Sequence, residues 1–338
     1  MGKILYRRKV QVVGGSTYIV SIPKQWAEEI GITEGSEVAV EKLYDNSLKI
    51  YPVSGKAIEP PSSRLHFSCE ESDEVIARTI IAQYLSVAKE IKITASDVGC
   101  KERILKIVGF LKSKVLGLEV VEETANEIIL GIIVDFRFSN LLSAQQKMLK
   151  TLSSMFEDIV NSVLNGNMNM LSDVFKRDDL LDRLYLYSIR YITALASTTE
   201  TQERIPPQLL PHYALIAKSL ERIGDHISAI AKNLKESIEK KEIGEEQLVE
   251  LEKFLREAQN LLVMMSRLSE KFDYPLLVEA TGTAISMLNK EIELRRRLSH
   301  PTLFYSYIVE SCRRIVAYSI DVLESLLDIA ALVQRSLG

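Results

Sequence analysis

From Leu141 almost to the end of the chain, apolar residues recur at alternating spacings of three and four. Ile216, Leu220, Ile223, Ile227, Ile230 and Leu234 are one such row, and that spacing predicts a helix burying one continuous seam in a bundle. The pattern predicts six helices. Three span 141 to about 164, 167 to about 197, and 210 to 238, with a loop at Arg204-Ile205-Pro206-Pro207. Three more span 245 to about 271, 276 to about 298, and 302 to 336, broken at Phe272-Asp273-Tyr274-Pro275 and Ser299-His300-Pro301. Matching length and order make residues 141–238 and 245–336 an internal repeat of three-helix units.

Upstream the period is two. Lys9 to Pro23 reads as two short β-runs around Gly14-Gly15, and a short helix then runs from Pro23 through Trp26 and Ile30 to a stop at Gly31. Val38–Leu43 and Leu48–Tyr51 read as a hairpin over Asp45-Asn46. About fifty residues of this kind bury too little to stand alone. Dimerisation by exchanging hairpins through residues 1–52 solves that problem. Residues 52–63, rich in Pro, Ser and Gly, read as a linker. Residues 64–136 follow as a small α/β sandwich. Its expected elements are a strand at 64–69, a helix at 72–90 capped by Ser72, a strand at 91–94, a basic helix at 101–115, and a hairpin of 118–122 with 127–134 across Ala125-Asn126. The fold class expected is therefore a multidomain α+β chain: a β module, a small α/β domain, and an all-α domain of two three-helix repeats.

On the helix at 210–238, Glu221 and Asp225 lie one turn apart, about 40° apart around the axis. Asp178 and Asp182 form a second i,i+4 pair, with Asp179 beside them. Two such pairs on packed helices make a four-carboxylate cage for a divalent or trivalent ion, Fe, Mn, Zn or Mg. Spacing alone equally describes solvated helix faces. His226 points about 100° away from Asp225 and reads as a core or surface residue. His212 and His300 are expected in loops.

Composition changes the picture in two places. The 338 residues, 46% hydrophobic and 26% charged, suit ordinary globular domains, with no membrane span or signal peptide, so a cytoplasmic protein is expected. The net charge of -4 argues against a simple polyanion binder, yet residues 1–27 carry Lys3, Arg7, Arg8, Lys9 and Lys24 and no acid. Cys69, Cys100 and Cys312, odd in number and without metal-type spacing, read as reduced and mostly buried, and His66 with Cys69 as core residues. Lys101, Arg103, Lys106, Lys112 and Lys114 read as a solvated helix face.

Glu221-x-x-x-Asp225 within Leu220-Glu-Arg-Ile-Gly-Asp-His226, with Asp178-x-x-x-Asp182 upstream, resembles the signature of the PhoU family of phosphate-uptake regulators over roughly residues 140–336. That resemblance implies two three-helix repeats, metal binding through Asp178, Asp182, Glu221 and Asp225, and repression of phosphate-starvation signalling. Gly15, Thr17, Val20, Ile22-Pro23, Trp26, Gly31-Ile32, Gly35 and Val38 resemble the AbrB/MazE swapped-hairpin family. This second resemblance implies a homodimer whose N-terminal β-layer contacts DNA through Arg7, Arg8, Lys9 and Lys24. Ordinary solubilising charges on an oligomerisation hairpin remain the other reading of those cations.

The second repeat departs from the pattern. Glu310-Ser-Cys-Arg-Arg314 replaces the second carboxylate by Arg314, and the stretch matched to Asp178 and Asp182, Thr281–Ile285, has no acid. One metal site, in the first repeat, is expected, with Arg314 neutralising Glu310 in the other. No nucleophile–base set, phosphate loop or dinucleotide fingerprint is present, so the chain is not expected to be an enzyme. The leading expectation is a DNA-binding regulator of phosphate uptake. The alternative is an adaptor acting on a phosphate-transporter ATPase subunit or a kinase, with residues 1–52 only dimerising.

Overall fold

Gly14 and Gly15 both adopt positive φ, +63° and +79°, a conformation that glycine reaches without the Cβ penalty. The turn they make pairs β1 (Gln11–Val13) with β2 (Thr17–Ile19) antiparallel, Val13 opposite Thr17. α1 (Lys24–Glu29) follows Pro23 and ends before Gly31, whose φ is +77°. β3 (Val38–Lys42) and β4 (Leu48–Pro52) form the second antiparallel hairpin. The computed structural model describes residues 5–42, 46–53, 62–134, 140–165, 170–197, 205–296 and 302–337; Lys3, Asp45 and His300 lie outside these. The chain divides into two units, Met1–Pro61 and Ser62–Gly338.

In the first unit no described residue is buried. Val12, Tyr18, Val40 and Leu48 are each more than half exposed. Alternating strands normally hide one face, so this unit has apolar faces with nothing of its own to cover them. Tyr6 meets Trp26 edge-on with ring centroids 5.0 Å apart and ties the segment before β1 to α1.

The second unit begins with a four-stranded mixed sheet in the order β5-β6-β8-β7. β5 (Ser62–Phe67) runs parallel to β6 (Glu90–Ala95), joined by α2 (Asp73–Leu85). β8 (Glu127–Ile132) pairs antiparallel with both β6 and β7 (Leu118–Glu123). Ser72 caps α2 by accepting from the Val75 amide, and α2 stops five residues before its expected end because the chain turns through Val87 at φ +66°. α3 (Val98–Lys114) starts earlier than expected because Asp97 caps it, accepting from the Cys100 amide at 2.9 Å. Ile76, Ile80, Ile104 and Leu111 from these helices meet Ile91, Ile93, Ile128 and Leu130 from the sheet in one core.

Six long helices follow: α4 (Leu141–Asn165), α5 (Leu171–Ser197), α6 (Leu210–Glu239), α7 (Glu245–Glu270), α8 (Tyr274–Arg296) and α9 (Leu303–Leu337). They share one core, with the seam Leu220, Ile223, Ile227 and Ile230 at its centre. α6 and α9, the third helix of each trio, make the most extensive helix pair. A smaller cluster of Val87, Leu141, Tyr187, Tyr191 and Leu210 joins the sheet module to the bundle. There the buried guanidinium of Arg190 on α5 donates to the carbonyls of Tyr84 and Ala88, the latter at 3.0 Å, beyond the end of α2.

Four expectations are corrected, one of them being that His66 is exposed on β5 rather than a core residue. Cys69 and Cys100 are joined in a disulfide, and Cys312, buried, lies outside that bond. Parallel pairing of β5 and β6 brings the residue just past β5 beside the first turn of α3, a proximity that a 31-residue spacing does not announce. His212 lies in the first turn of α6, its Nδ1 3.4 Å from Asp328 Oδ2, and not in a loop. The basic face of α3 is mostly paired within the protein. Lys101 reaches Glu123 at 2.9 Å, Arg103 reaches Asp73 and two carbonyls, Lys112 reaches Glu119, and Lys114 reaches Asp179 and Asp182.

Candidate functional site

Gly224 sets the spacing of the site. A Cβ at that position on α6 would stand 2.0 Å from Leu181 Cδ2 and 3.4 Å from Asp178 Oδ1, both on α5. Only a residue without a side chain lets the two helices approach this closely. The approach brings the acidic pairs of α5 and α6 face to face. Asp182, Glu221 and Asp225 each offer a carboxylate oxygen, and all three oxygens lie within 4.8 Å of one another. All three residues are half-buried.

Asp178 stands beside this trio, one turn earlier on α5. Its Oδ1 is buried and has no hydrogen-bond partner. Burial pushes its pKa up to about 6, and the neighbouring Asp182 and Asp225 carboxylates push the same way, against the Ser228 hydroxyl and Lys114. Glu221 and Asp225 are also raised, first by burial, with local cations opposing. Three of the four expected carboxylates, Asp182, Glu221 and Asp225, thus gather in one group, and Asp178 stands at its edge.

The trio has three cations in attendance. Lys218 donates to both Glu221 oxygens at 2.8 and 2.7 Å, and Arg222 to Asp225 at 3.2 Å, each three residues from its partner on α6. Lys114, the last residue of α3, donates to Asp182 at 3.1 Å and also to Asp179. The first two contacts are legible as i,i+3 spacings; Lys114 is not, being 68 positions away.

An all-oxygen carboxylate set suits a hard or borderline divalent cation. With metal–oxygen bonds of about 2.1 Å, octahedral neighbours stand roughly 3 Å apart and opposite ligands about 4.2 Å apart. Oxygens within 4.8 Å of one another need only side-chain rotation to reach that. The buried, partnerless Asp178 Oδ1 adds an acceptor for the same charge. The residues present therefore fit a metal ion. His226 takes no part: its ring stacks on Tyr318 of α9 at 5.8 Å, with its pKa lowered by burial and by Arg314 and Arg222.

The corresponding place in the second trio has the opposite charge. Glu310 accepts from Arg313 at 2.8 Å, from Arg314 at 3.1 Å, and from Arg295 of α8 at 3.2 Å. Hydrogen bonds from Arg313 lead in drawing its pKa down to about 2. The pairing of Arg314 with Glu310 is as expected. The residue facing Glu310 from α8, however, is Arg295, and not the Thr281–Ile285 stretch. Among the described residues the acidic trio of the first three-helix repeat is the one group that could hold a metal.

The predicted nucleic-acid contacts are all exposed. Arg7, Arg8 and Lys9 lie in the extended run before β1, with the Arg8 guanidinium 5.6 Å from the Tyr6 ring. Lys24 opens α1 and lies 3.7 Å from Glu28.

Residues 146–234, which hold all four carboxylates, match the family model described as PhoU domain. Residues 11–57 match the model described as antidote-toxin recognition MazE, bacterial antitoxin. The fold resembles that of the crystal structure of PhoU from Pseudomonas aeruginosa with a TM-score of 0.51 and 16% sequence identity, covering 56% of this chain and 95% of that chain. No curated protein is significantly similar to the chain.

Proposed function

We propose that the protein is a cytoplasmic, DNA-binding regulator of phosphate uptake whose PhoU-like helical domain senses through a bound metal ion. The division of labour follows the chain. Residues 1–52 dimerise and contact DNA, residues 64–136 form an α/β domain, 141–238 carry the metal site, and 245–336 are a structural repeat. The observation that carries this reading is the first unit. Its two hairpins fully bury none of their apolar residues, while Arg7, Arg8 and Lys9 stand exposed on a stretch with no acid through residue 27. A second copy supplies the missing core, and the dimer then carries about ten cations that neutralise phosphates and release counterions.

Asp182, Glu221 and Asp225, with Asp178 beside them, would hold the ion, and the chemistry it supplies is charge neutralisation that ties α5 to α6. Lys218 and Arg222 compensate the same carboxylates in its absence. No described helix is long and apolar enough to cross a membrane.

The family matched by residues 11–57 is described by its recognition of a toxin, which favours a second reading: an adaptor on a phosphate-transporter ATPase subunit or a kinase, with residues 1–52 dimerising only. A gel shift on DNA upstream of phosphate-transport genes separates the two. The parent binds with a steep salt dependence, and the Arg7→Ala/Arg8→Ala/Lys9→Ala variant loses binding and flattens the slope while staying dimeric. Equal binding by the triple variant at physiological salt leaves the adaptor reading standing. For the ion, metal content of the parent against Glu221→Gln/Asp225→Asn decides: it is lost in the variant, and equal content in both refutes the site.

A further inference from the structure

Each member of the acidic trio has its own cation, but the three cations are not equivalent. Lys218 and Arg222 sit on the same helix as their partners, with Lys218 also lying over the Tyr185 ring of α5 at 4.7 Å. Lys114 comes from the sheet module. It is the last residue of α3, set between Leu111 and Val115, which are 1% and 2% exposed in the module's core. The Val115 amide still donates to the Leu111 carbonyl at 2.8 Å, so the backbone that carries Lys114 is held on both sides. Its side chain reaches across to α5 and is itself three-quarters covered. It has two partners there. Asp182 belongs to the trio; Asp179 does not and is half exposed.

We propose that Lys114 is a tethered competitor for the acidic cluster, so that uptake of a divalent cation by Asp182, Glu221 and Asp225 is coupled to the seating of α3 on α5. This rests on the metal-site reading above. The ammonium, which donates to Asp182 Oδ2, and the ion both draw on the Asp182 carboxylate. An ion gains Asp182 only when Lys114 gives it up and retreats to Asp179 alone. The Lys114 ammonium opposes the ion from a fixed origin, and the ion in turn removes one of two bonds holding the end of α3 to α5. By linkage the two effects are reciprocal: whatever seats α3 more firmly weakens the ion, and the ion loosens α3. The sheet module thus sets the affinity of a site to which it contributes no ligand.

The test is calorimetric titration of the full chain with Mn2+ and with Mg2+, alongside hydrogen exchange across Leu111–Val115. Lys114→Met is expected to bind roughly 5- to 150-fold more tightly than the parent, the usual range of a coupling between sites. Lys114→Arg, which keeps the charge, stays near the parent. Saturating Mg2+ is expected to speed exchange at the end of α3 in the parent and leave it unchanged in Lys114→Met. Should Lys114→Met not fold, Lys114→Gln carries the same comparison. Equal affinity of parent and Lys114→Met overturns the proposal and leaves the metal site intact. Tighter binding with no effect of the ion on α3 exchange in the parent overturns the coupling. No binding of Mn2+, Mg2+, Zn2+ or Fe2+ by either protein refutes the metal-site reading itself.

Discussion

Replacing Gly224 by Ala sets two effects of known sign against each other. In an exposed helix the change stabilises by about 1 kcal/mol, because alanine loses less backbone freedom. Here the new Cβ would stand 2.0 Å from Leu181 Cδ2, where non-bonded carbons need about 3.5–4.0 Å. Leu181 is fully buried, and Asp178 Oδ1 and Leu152 Cδ2 follow at 3.4 and 3.5 Å from the same point, so little space surrounds it. Either Leu181 leaves its rotamer or α5 moves away from α6, and overpacking of this kind costs about 1–3 kcal/mol. The net expectation is destabilisation of up to about 2 kcal/mol in urea unfolding. A companion variant checks the cause. Leu181→Ala alone costs about 2–5 kcal/mol as a cavity, but in the Gly224→Ala background the added methyl partly fills that cavity. The double variant is then more stable than the sum of the two single changes predicts. Strict additivity, or a Gly224→Ala protein more stable than the parent, refutes close helix approach as the reason for glycine at this position.

Two further predictions follow from charges and bonds already described. Glu310 has a folded-state pKa of about 2, below its ordinary value of 4.5, so its arginine contacts contribute stability fully above pH 4.5 and lose it as pH falls through 2; Glu310→Gln should therefore lower the melting temperature at pH 7, less so at high salt, and match the parent near pH 2, and a loss that persists at pH 2 refutes the electrostatic cause. The Cys69–Cys100 bond closes a separation of 31 residues, for which chain entropy gives about 3–4 kcal/mol; reductant should lower the stability of the parent but not of Cys69→Ser/Cys100→Ser, and an indifferent parent shows that these thiols stay reduced.

Residue order revealed whatever depends on local spacing. The six helices come from their three-four rows, α2 from its Ser72 cap, and the hairpins from Gly14-Gly15 and Asn46 at positive φ. The nearness of Asp182 to Glu221 and Asp225 across α5 and α6 was also legible, because both helices carry these acids beside a buried seam. What stayed hidden depends on tertiary register. Lys114 looks like one more solvated lysine until α3 is set against α5, and the disulfide depends on β5 and β6 being parallel neighbours. The mispairing in the second repeat has the same origin. α5 runs on for about four turns past Asp182, whereas α8 ends one residue after Arg295. Matching the two helices from their starts therefore points to Thr281–Ile285, although contact across an antiparallel pair is counted back from the connecting loop.

That register makes the asymmetry of the repeats a chemical one. At matched places one trio sets Asp182 against Glu221 and Asp225, and the other sets Arg295 against Glu310 and Arg314. The first arrangement gathers like charge and half-buries it, so three separate cations, one borrowed from α3, are needed to hold it. The second is complete in itself, since its guanidiniums bring the opposite charge on rigid planar forks that bond a carboxylate without any added ion. α6 and α9 carry these two centres and form the most extensive helix pair of the bundle. His226 stacks on Tyr318 across that pair, with Arg222 of the first centre and Arg314 of the second both near enough to depress its pKa. A change in the charge balance of the first centre therefore acts on a helix packed along a neighbour whose own carboxylate is already paired within the protein.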